Sequence, residues 1–126
     1  MKLRIKGDSL RLRITPSEMT RLLQAGRIEE TVHFGMDEAA SLTYGLEASS
    51  QAAALSVRAE SRSVTVMVPA DQLRRWAASS DEGLYGQVKT AHGALQLSVE
   101  KDFACLDKSD AENHDTFPNP LQGSVC

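Results

Sequence analysis

The feature that most constrains the fold of this sequence is a recurring alternation of apolar and polar residues, broken at two places by helix-start signals. The first two alternating stretches flank Gly7-Asp8-Ser9, a short turn in which the glycine can adopt positive φ. Similar stretches begin near residues 28, 42, 55, 64, 84 and 95. Because alternation with a period of two is typical of strands that bury one face, the sequence predicts about eight strands, the first two of which form a hairpin.

Each helix-start signal directly follows an alternating stretch. Thr15 is placed to be an N-cap, Pro16 to be the first helical residue, and Glu18 to complete a capping box. Gly26 is a suitable C-terminal stop for this first helix. A second helix is predicted to begin at Pro69-Ala70-Asp71. The predicted order of elements is therefore ββαββ, twice.

This order predicts an α+β fold, with about eight mainly antiparallel strands in a bent sheet or barrel and two helices. It also suggests a ββαββ repeat. Aligning the two helix starts at their prolines, Pro16 and Pro69, puts the preceding strands out of phase. In that alignment the apolar Leu12 falls on the polar Thr65, so the residues give the repeat weak support. Alternation does not reveal strand order, and both a barrel and an open sheet remain compatible with it.

Length and composition limit what the chain can be. Its 126 residues accommodate one domain, and an apolar fraction of 41% is ordinary for a folded protein. The net charge of -3 does not favour a nucleic-acid binder. The first residues lack the apolar core of a signal peptide, and no apolar run reaches membrane-spanning length. Two cysteines do not make a disulfide framework, so we expect a cytoplasmic protein with reduced thiols.

Charge is distributed unevenly along the chain. We predict that residues 1–106 form a single α+β domain and that residues 107–126 form an irregular acidic C-terminal arm. At the other end of the chain, the predicted hairpin presents a row of cations on one face. These candidate residues for binding an anion or a partner are Lys2, Arg4, Lys6, Arg11 and Arg13.

Three interpretations of this row of cations remain open. We prefer a solvated sheet face whose charges also protect an edge strand. The second interpretation is that the acidic arm docks on the cations. The last is binding of phosphate or of a nucleic-acid backbone, which we place third because no aromatic residue is interleaved on that face for base stacking.

A second candidate is Glu100-Lys101-Asp102-Phe103-Ala104-Cys105, a motif of unknown role where the last strand gives way to a polar tail. Asp102 could cap backbone groups at the strand end while Phe103 fills the core. Nearby lysines could lower the pKa of Cys105, but a buried structural cysteine is the simpler interpretation. The histidines and cysteines match no zinc spacing, so we expect no metal site and no cofactor.

The lack of a catalytic motif and the segregated charge predict a non-enzymatic cytoplasmic interaction or ligand-binding module. Its partner would be a protein or a small anionic ligand, and not a nucleic acid or a membrane; self-association through an exposed hairpin edge is a further option. The alternative is an enzyme acting on a phosphorylated or anionic substrate in the concavity of the sheet. Its best candidate carboxylate is Glu30, which is in phase with the apolar Ile28 and Val32. The simpler explanation of Glu30 is a strand-end carboxylate paired with an arginine.

The chain resembles a family of small uncharacterised bacterial proteins, a domain of unknown function, in its start MKLRIKGDSLRLRIT, in PADQLRRWA, and in EKDFACLD with the later FPNP. The pairing of an RIKG-type start with an EKDFxCL-type ending carries this resemblance, which spans the chain. The resemblance implies a common fold and a bacterial, cytoplasmic setting. It assigns no activity, ligand or catalytic residue.

Overall fold

The computed structural model describes residues 1–103 and 115–118 of the protein. These residues form eight strands and two helices in the predicted order. The elements are β1 (Lys2–Ile5), β2 (Ser9–Ile14), α1 (Pro16–Ala25), β3 (Arg27–His33), β4 (Ser41–Ser49), β5 (Ser56–Glu60), β6 (Ser63–Pro69), α2 (Ala70–Ala77), β7 (Gly83–Thr90) and β8 (Gly93–Lys101).

The first helix begins and ends where the sequence predicts. The side chain of Thr15 accepts a hydrogen bond from the backbone N–H of Glu18 at 3.3 Å, and the Glu18 carboxylate accepts one from the Thr15 N–H at 2.9 Å. This reciprocal pair is the capping box. Gly26 ends the helix in the left-handed conformation, with a φ of 80°, and donates its N–H to the carbonyl of Leu22.

The strands of the described residues form two mixed sheets that do not close into a barrel. Sheet A has the strand order β1-β2-β8-β7, and sheet B has the order β3-β4-β6-β5. The outer pairs of each sheet are antiparallel, whereas the central pairs, β2 with β8 and β4 with β6, are parallel. The α+β prediction with mainly antiparallel strands is confirmed, and of the two predicted arrangements the barrel is excluded for the described residues.

The two sheets are built on the same plan. Leu12 of β2 is paired with Val99 of β8, and Val66 of β6 is paired with Leu46 of β4. All four side chains are buried. In each sheet, one of the two central strands leads directly into a helix, β2 into α1 and β6 into α2. The ββαββ repeat is therefore present, with sheet A and sheet B in equivalent roles.

The proline-on-proline alignment of the repeat is one residue out of register. Pro16 is the first residue of α1, but Pro69 lies one step earlier, at the N-cap of α2. Matching Thr15 with Pro69 as the two N-caps brings the strands into phase, because the buried Ile14 then corresponds to the buried Val68. Proline is compatible with both positions, so its presence alone does not fix the register.

The core lies between the inner faces of the sheets and the two helices. It consists mainly of aliphatic side chains with one large aromatic: Leu12, Ile14, Met19, Leu22, Ile28, Leu46, Leu55, Val66, Val68, Leu73, Trp76, Leu97 and Val99. Because successive strand residues face opposite sides, the polar residues between these core positions lie on the outer face of each sheet. Neither helix in the described part of the chain is long and apolar enough to cross a membrane.

Candidate functional site

The predicted row of cations lies on the outer face of sheet A, and we call this surface the basic face. It comprises Lys2, Arg4, Lys6, Arg11 and Arg13. The hairpin that presents these side chains closes at Gly7, which has a φ of 53°, and the Lys6 N–H donates to the Ser9 carbonyl at 3.2 Å. A glycine at the first central position is typical of the tight turns that join two antiparallel strands.

Like charges lie directly opposite each other across this hairpin. Lys2 faces Arg13 in the β1–β2 ladder, and Arg4 faces Arg11. Like-charged residues in directly opposed positions destabilise an antiparallel pair. The hairpin therefore depends on nearby carboxylates, or carries an uncompensated repulsion.

Two carboxylates compensate part of this charge, Glu100 of β8 and Asp102 directly after that strand. The Glu100 carboxylate forms ion pairs with the Nε atoms of Arg11 at 3.3 Å and Arg13 at 3.5 Å, and its side chain is only 12% exposed. Asp102 pairs with the Lys2 ammonium at 3.0 Å. The β2–β8 pairing makes this possible, because it places Glu100 directly beside Arg13.

Arg4 and Lys6 are the two cations of the basic face that Glu100 and Asp102 do not neutralise. Within residues 1–103 and 115–118, neither side chain has a carboxylate partner. Arg4 also belongs to the lining of a shallow concavity of about 330 Å³, together with Lys2, Leu3, Arg11 and Arg13. The described side chains that line this concavity include four cations and no carboxylate.

One aromatic side chain lies on the outer face of sheet A, on β7 and thus outside the hairpin for which no interleaved aromatic was predicted. Tyr85 of β7 is in register with Ser98 of β8, which is in register with Arg11. Its hydroxyl donates to Glu100 at 2.9 Å. Partial burial and the Glu100 carboxylate raise the pKa of Tyr85 to about 12. The sequence did not place Tyr85 near the cations, because alternation gives the face of a strand but not its neighbours in the sheet.

Sheet B carries the equivalent carboxylate with its charge balanced. Glu47 corresponds to Glu100. Glu47 directly follows Leu46, which is paired with β6, and Glu100 directly follows Val99, which is paired with β2 in the same way. Glu47 pairs with Arg27 at 3.2 Å and with Arg58 at 3.3 Å. The hydrogen bond from Arg58, with the charges of both arginines, holds the pKa of Glu47 below its usual value against the opposing effect of burial.

The Glu100–Phe103 segment of the motif contacts residues outside sheet A, chiefly through the side chain of Lys101. Lys101 points inward and is only 5% exposed, and its ammonium donates to the Ser79 carbonyl at 2.6 Å. The same ammonium lies 5.8 Å from the ring centre of Trp76 and 5.5 Å from that of Phe117. Burial lowers the pKa of Lys101. The sequence carried a signal for this, because Lys101 is in phase with the inward-facing Leu97 and Val99.

Phe103 and Asp102 connect the motif to the described C-terminal residues. The rings of Phe103 and Phe117 meet edge to face with centres 6.1 Å apart, and the Asp102 carbonyl accepts from the Phe117 N–H at 2.8 Å. The Asp102 carboxylate binds Lys2, and no backbone-capping bond to it is seen among the described residues. Cys105 of the motif lies outside the residues that the structure describes.

The described part of the predicted acidic arm contacts the start of α1. Asp115 accepts from the backbone N–H of Ser17 at 3.2 Å and from its hydroxyl at 2.6 Å. Docking of the arm on the basic face, the second of the three interpretations, falls largely on residues 107–114 and 119–126, which lie outside the described part of the chain.

Glu30, the candidate carboxylate of the enzyme alternative, lies away from the basic-face concavity. It accepts from the Tyr44 hydroxyl at 3.2 Å and lies 3.4 Å from the α-amino group of Met1, with 48% of its side chain exposed. Its partners are therefore not the predicted arginine. In the described ranges, no group of three or more His, Cys, Asp or Glu side chains is arranged to hold a metal ion.

Comparisons with curated proteins and with solved structures gave no match to this chain. A protein-family model, by contrast, matches residues 1–121, which is nearly the whole sequence and includes the hairpin and the Glu100–Phe103 segment. The chain therefore belongs to DUF7009, a family of unknown function.

Proposed function

We propose that this protein is a binding module whose basic face takes an anionic ligand or an acidic segment of a partner protein. The observation that carries the proposal is the surplus cation at Arg4. This guanidinium lies directly opposite Arg11, in a concavity lined by cations, and has no carboxylate partner among the described residues. A bound anion would relieve the repulsion and supply the missing partner.

The equivalent position in sheet B supports this interpretation over that of an ordinary solvated face. Arg58 corresponds to Arg4, but it faces the neutral Thr65 and binds Glu47. The same fold therefore offers a charge-balanced arrangement at this position. The first hairpin departs from that arrangement in a way that costs stability, as surfaces selected for binding often do.

The structure offers less support to the enzyme alternative. Its proposed carboxylate, Glu30, is held by Tyr44 and by the Met1 amino group outside the concavity. Glu100, which with Asp102 pairs with cations of the basic face, is engaged by two arginines and Tyr85. A general acid or base needs a site within hydrogen-bond reach of a substrate, and neither carboxylate is among the residues that line the concavity. We also infer a bacterial, cytoplasmic setting, which the family resemblance supports.

The test is a comparison of anion binding by the native protein and by Arg4→Glu. Inorganic pyrophosphate and polyglutamate are the probes, and calorimetry at low and high salt is the measurement. Reversing Arg4 should weaken binding of either probe by about tenfold, and salt should weaken what remains. Arg4 is the most informative residue to reverse, because it lines the concavity and has no carboxylate partner to lose within the described residues.

Arg75→Glu is the matched control. Arg75 lies on α2, is exposed, and has one weak surface partner, Asp71 at 3.5 Å. The control changes the net charge by the same amount as Arg4→Glu but leaves the basic face intact. Equal binding by the native protein, the variant and the control would refute a role for the basic face, as would the failure of native protein to bind either probe.

A further inference from the structure

Within residues 1–103 and 115–118, no strand pairs with the outer edge of β1. Sheet A ends at β1, whose one strand neighbour in the described residues is β2. The Lys6 N–H to Ser9 carbonyl bond closes the hairpin, and hydrogen-bonded pairs alternate along an antiparallel ladder from there. Counting back, the backbone groups of Arg4 point toward β2, whereas those of Leu3 and Ile5 point away from it. No described residue bonds to these outward groups.

The far half of this edge is exposed at Ile5. Ile5 is 60% exposed, although it lies on the same side of β1 as the half-buried Leu3. At the near end, the strand is tied to β3 by the contact between the Met1 amino group and Glu30. A segment that adds to β1 can therefore reach the Leu3–Ile5 stretch from the turn end of the hairpin.

Side chains along this edge follow a definite pattern. Lys2, Arg4 and Lys6 project on the basic face, and Leu3 and Ile5 project on the opposite side. An added strand places its own side chains on the same two sides with the same period. Carboxylates at alternate positions of such a segment would lie beside the cations, and apolar residues between them would lie beside Leu3 and Ile5.

We propose that the partner is an extended acidic segment, alternating acidic and apolar residues, that adds to sheet A as a fifth strand beside β1. This inference rests on the proposed function, since it names the kind of anion that the basic face takes. Arg4 and Lys6 supply charge for the carboxylates, and the outward N–H and carbonyl groups of Leu3 and Ile5 supply the backbone hydrogen bonds. If the cations only protected the edge strand, they would repel other cationic strands, and binding of an acidic segment would not depend on the backbone N–H groups of that segment. Strand addition does depend on those N–H groups.

The experiment uses the full chain and a blocked peptide of alternating glutamate and valine. Ile5→Pro removes the outward N–H of Ile5 but keeps all five cations and the bonds to β2, because proline is tolerated where an edge N–H faces solvent. It should weaken peptide binding about tenfold and leave pyrophosphate binding unchanged. Ala59→Pro, at the equivalent position of β5 in sheet B, is the matched control and should bind the peptide as the native protein does.

Two N-methylated peptides, one methylated on every valine and one on every glutamate, provide an independent arm that needs no variant. Strand addition requires that one of the two lose binding about tenfold, because only one set of N–H groups faces β1. Strand addition is overturned, while binding by the basic face stands, if two results are obtained together. Both methylated peptides bind the native protein as tightly as the unmodified peptide does, and Ile5→Pro binds the unmodified peptide as tightly as the native protein does. If native protein binds neither peptide nor pyrophosphate, the proposed function fails and this inference fails with it. Should Ile5→Pro not fold, the methylated peptides decide the question alone.

Discussion

Arg4 occupies in sheet A the position that Arg58 occupies in sheet B, but the two arginines meet opposite electrostatic surroundings. Arg4 faces Arg11 across the β1–β2 hairpin, and Arg58 faces Thr65 across the β5–β6 hairpin. Arg58 binds the Glu47 carboxylate at 3.3 Å. Arg4 has no such partner in the described residues. One fold thus contains a charge-balanced and a charge-surplus version of the same hairpin, which allows direct comparison.

This relationship predicts opposite effects on stability for the same substitution. Arg4→Glu should raise the free energy of unfolding by about 0.5 kcal/mol, because a like-charge pair with Arg11 becomes an opposite-charge pair. Arg58→Glu should lower it by about 1 kcal/mol, because Glu47 loses a partner and gains a repulsive neighbour. Urea unfolding at low salt measures both changes, and high salt should shrink both. A loss of stability in both variants would contradict the surplus charge at Arg4.

Lys101 gives a second prediction, since its ammonium is buried between two aromatic rings. Lys101→Met keeps a side chain of similar volume and removes a buried charge, so the free energy of unfolding at neutral pH should stay within about 1 kcal/mol of native. Lys101→Glu should cost about 3 kcal/mol or more, because it buries a carboxylate against the Ser79 carbonyl. Urea unfolding at neutral pH distinguishes the two. A large loss in Lys101→Met would mean that the cation itself stabilises the fold.

The pH dependence of the same variant checks the burial of Lys101. Burial lowers its pKa in the folded protein below the ordinary 10.5. Between the lowered value and 10.5 the unfolded chain binds more protons, so the contribution of Lys101 to stability rises with pH across that interval and is lost as pH falls through it. Lys101→Met should remove this rise. An unchanged dependence of stability on pH in Lys101→Met would contradict the lowered pKa of Lys101.

The sequence predicted individual elements better than their arrangement. Thr15, Pro16 and Gly26 marked the limits of α1 because caps act through local backbone geometry, which neighbouring residues determine. Alternation likewise assigned the inner and outer faces of each strand. Because the five cations share one phase of that alternation, the sequence alone is enough to place them on one surface.

Strand neighbours, by contrast, depend on contacts between distant parts of the chain. The parallel pairing of β2 with β8 brings Glu100 to Arg11 and Arg13, and the position of β7 brings Tyr85 to the same surface. No local pattern in the sequence encodes these meetings. The site was thus predictable as a row of cations, but not as a row in which some charges are neutralised and Arg4 is not.

Tyr85 gives a third prediction through its ionisation. Partial burial and the Glu100 carboxylate raise its pKa from 10.0 to about 12. The folded protein therefore holds this proton longer than the unfolded chain, and the stabilising contribution, complete below pH 10, is lost as pH rises from 10 to about 12. Absorbance titration of the two tyrosines should show a step near pH 12 that Tyr85→Phe removes. Because 57% of Tyr85 is exposed, the contact with Glu100 is the cause that mutation can test, and Glu100→Gln should move the step toward 10.

A control separates this step from that of the other tyrosine. Burial and the Glu30 carboxylate also raise the pKa of Tyr44 above 10.0. Tyr44→Phe should therefore remove a different part of the titration and leave the step near pH 12 in place. If Tyr85 titrates near 10 in the native protein, its hydroxyl does not donate to Glu100, and the charge on Glu100 is compensated by the arginines alone.

The last prediction concerns Asp115, which caps α1 from a distant part of the chain. Its carboxylate accepts from both the backbone N–H and the hydroxyl of Ser17, at the second position of the helix. Removing a side-chain cap at a helix start costs about 1 kcal/mol. Asp115→Ala and Ser17→Ala should each destabilise the protein, and the double variant should lose less than their sum, because the hydroxyl contact can be lost once only. Thr20→Ala, elsewhere on α1, should be additive with Asp115→Ala, and additivity of Ser17→Ala as well would show that Asp115 does not hold the helix start in solution.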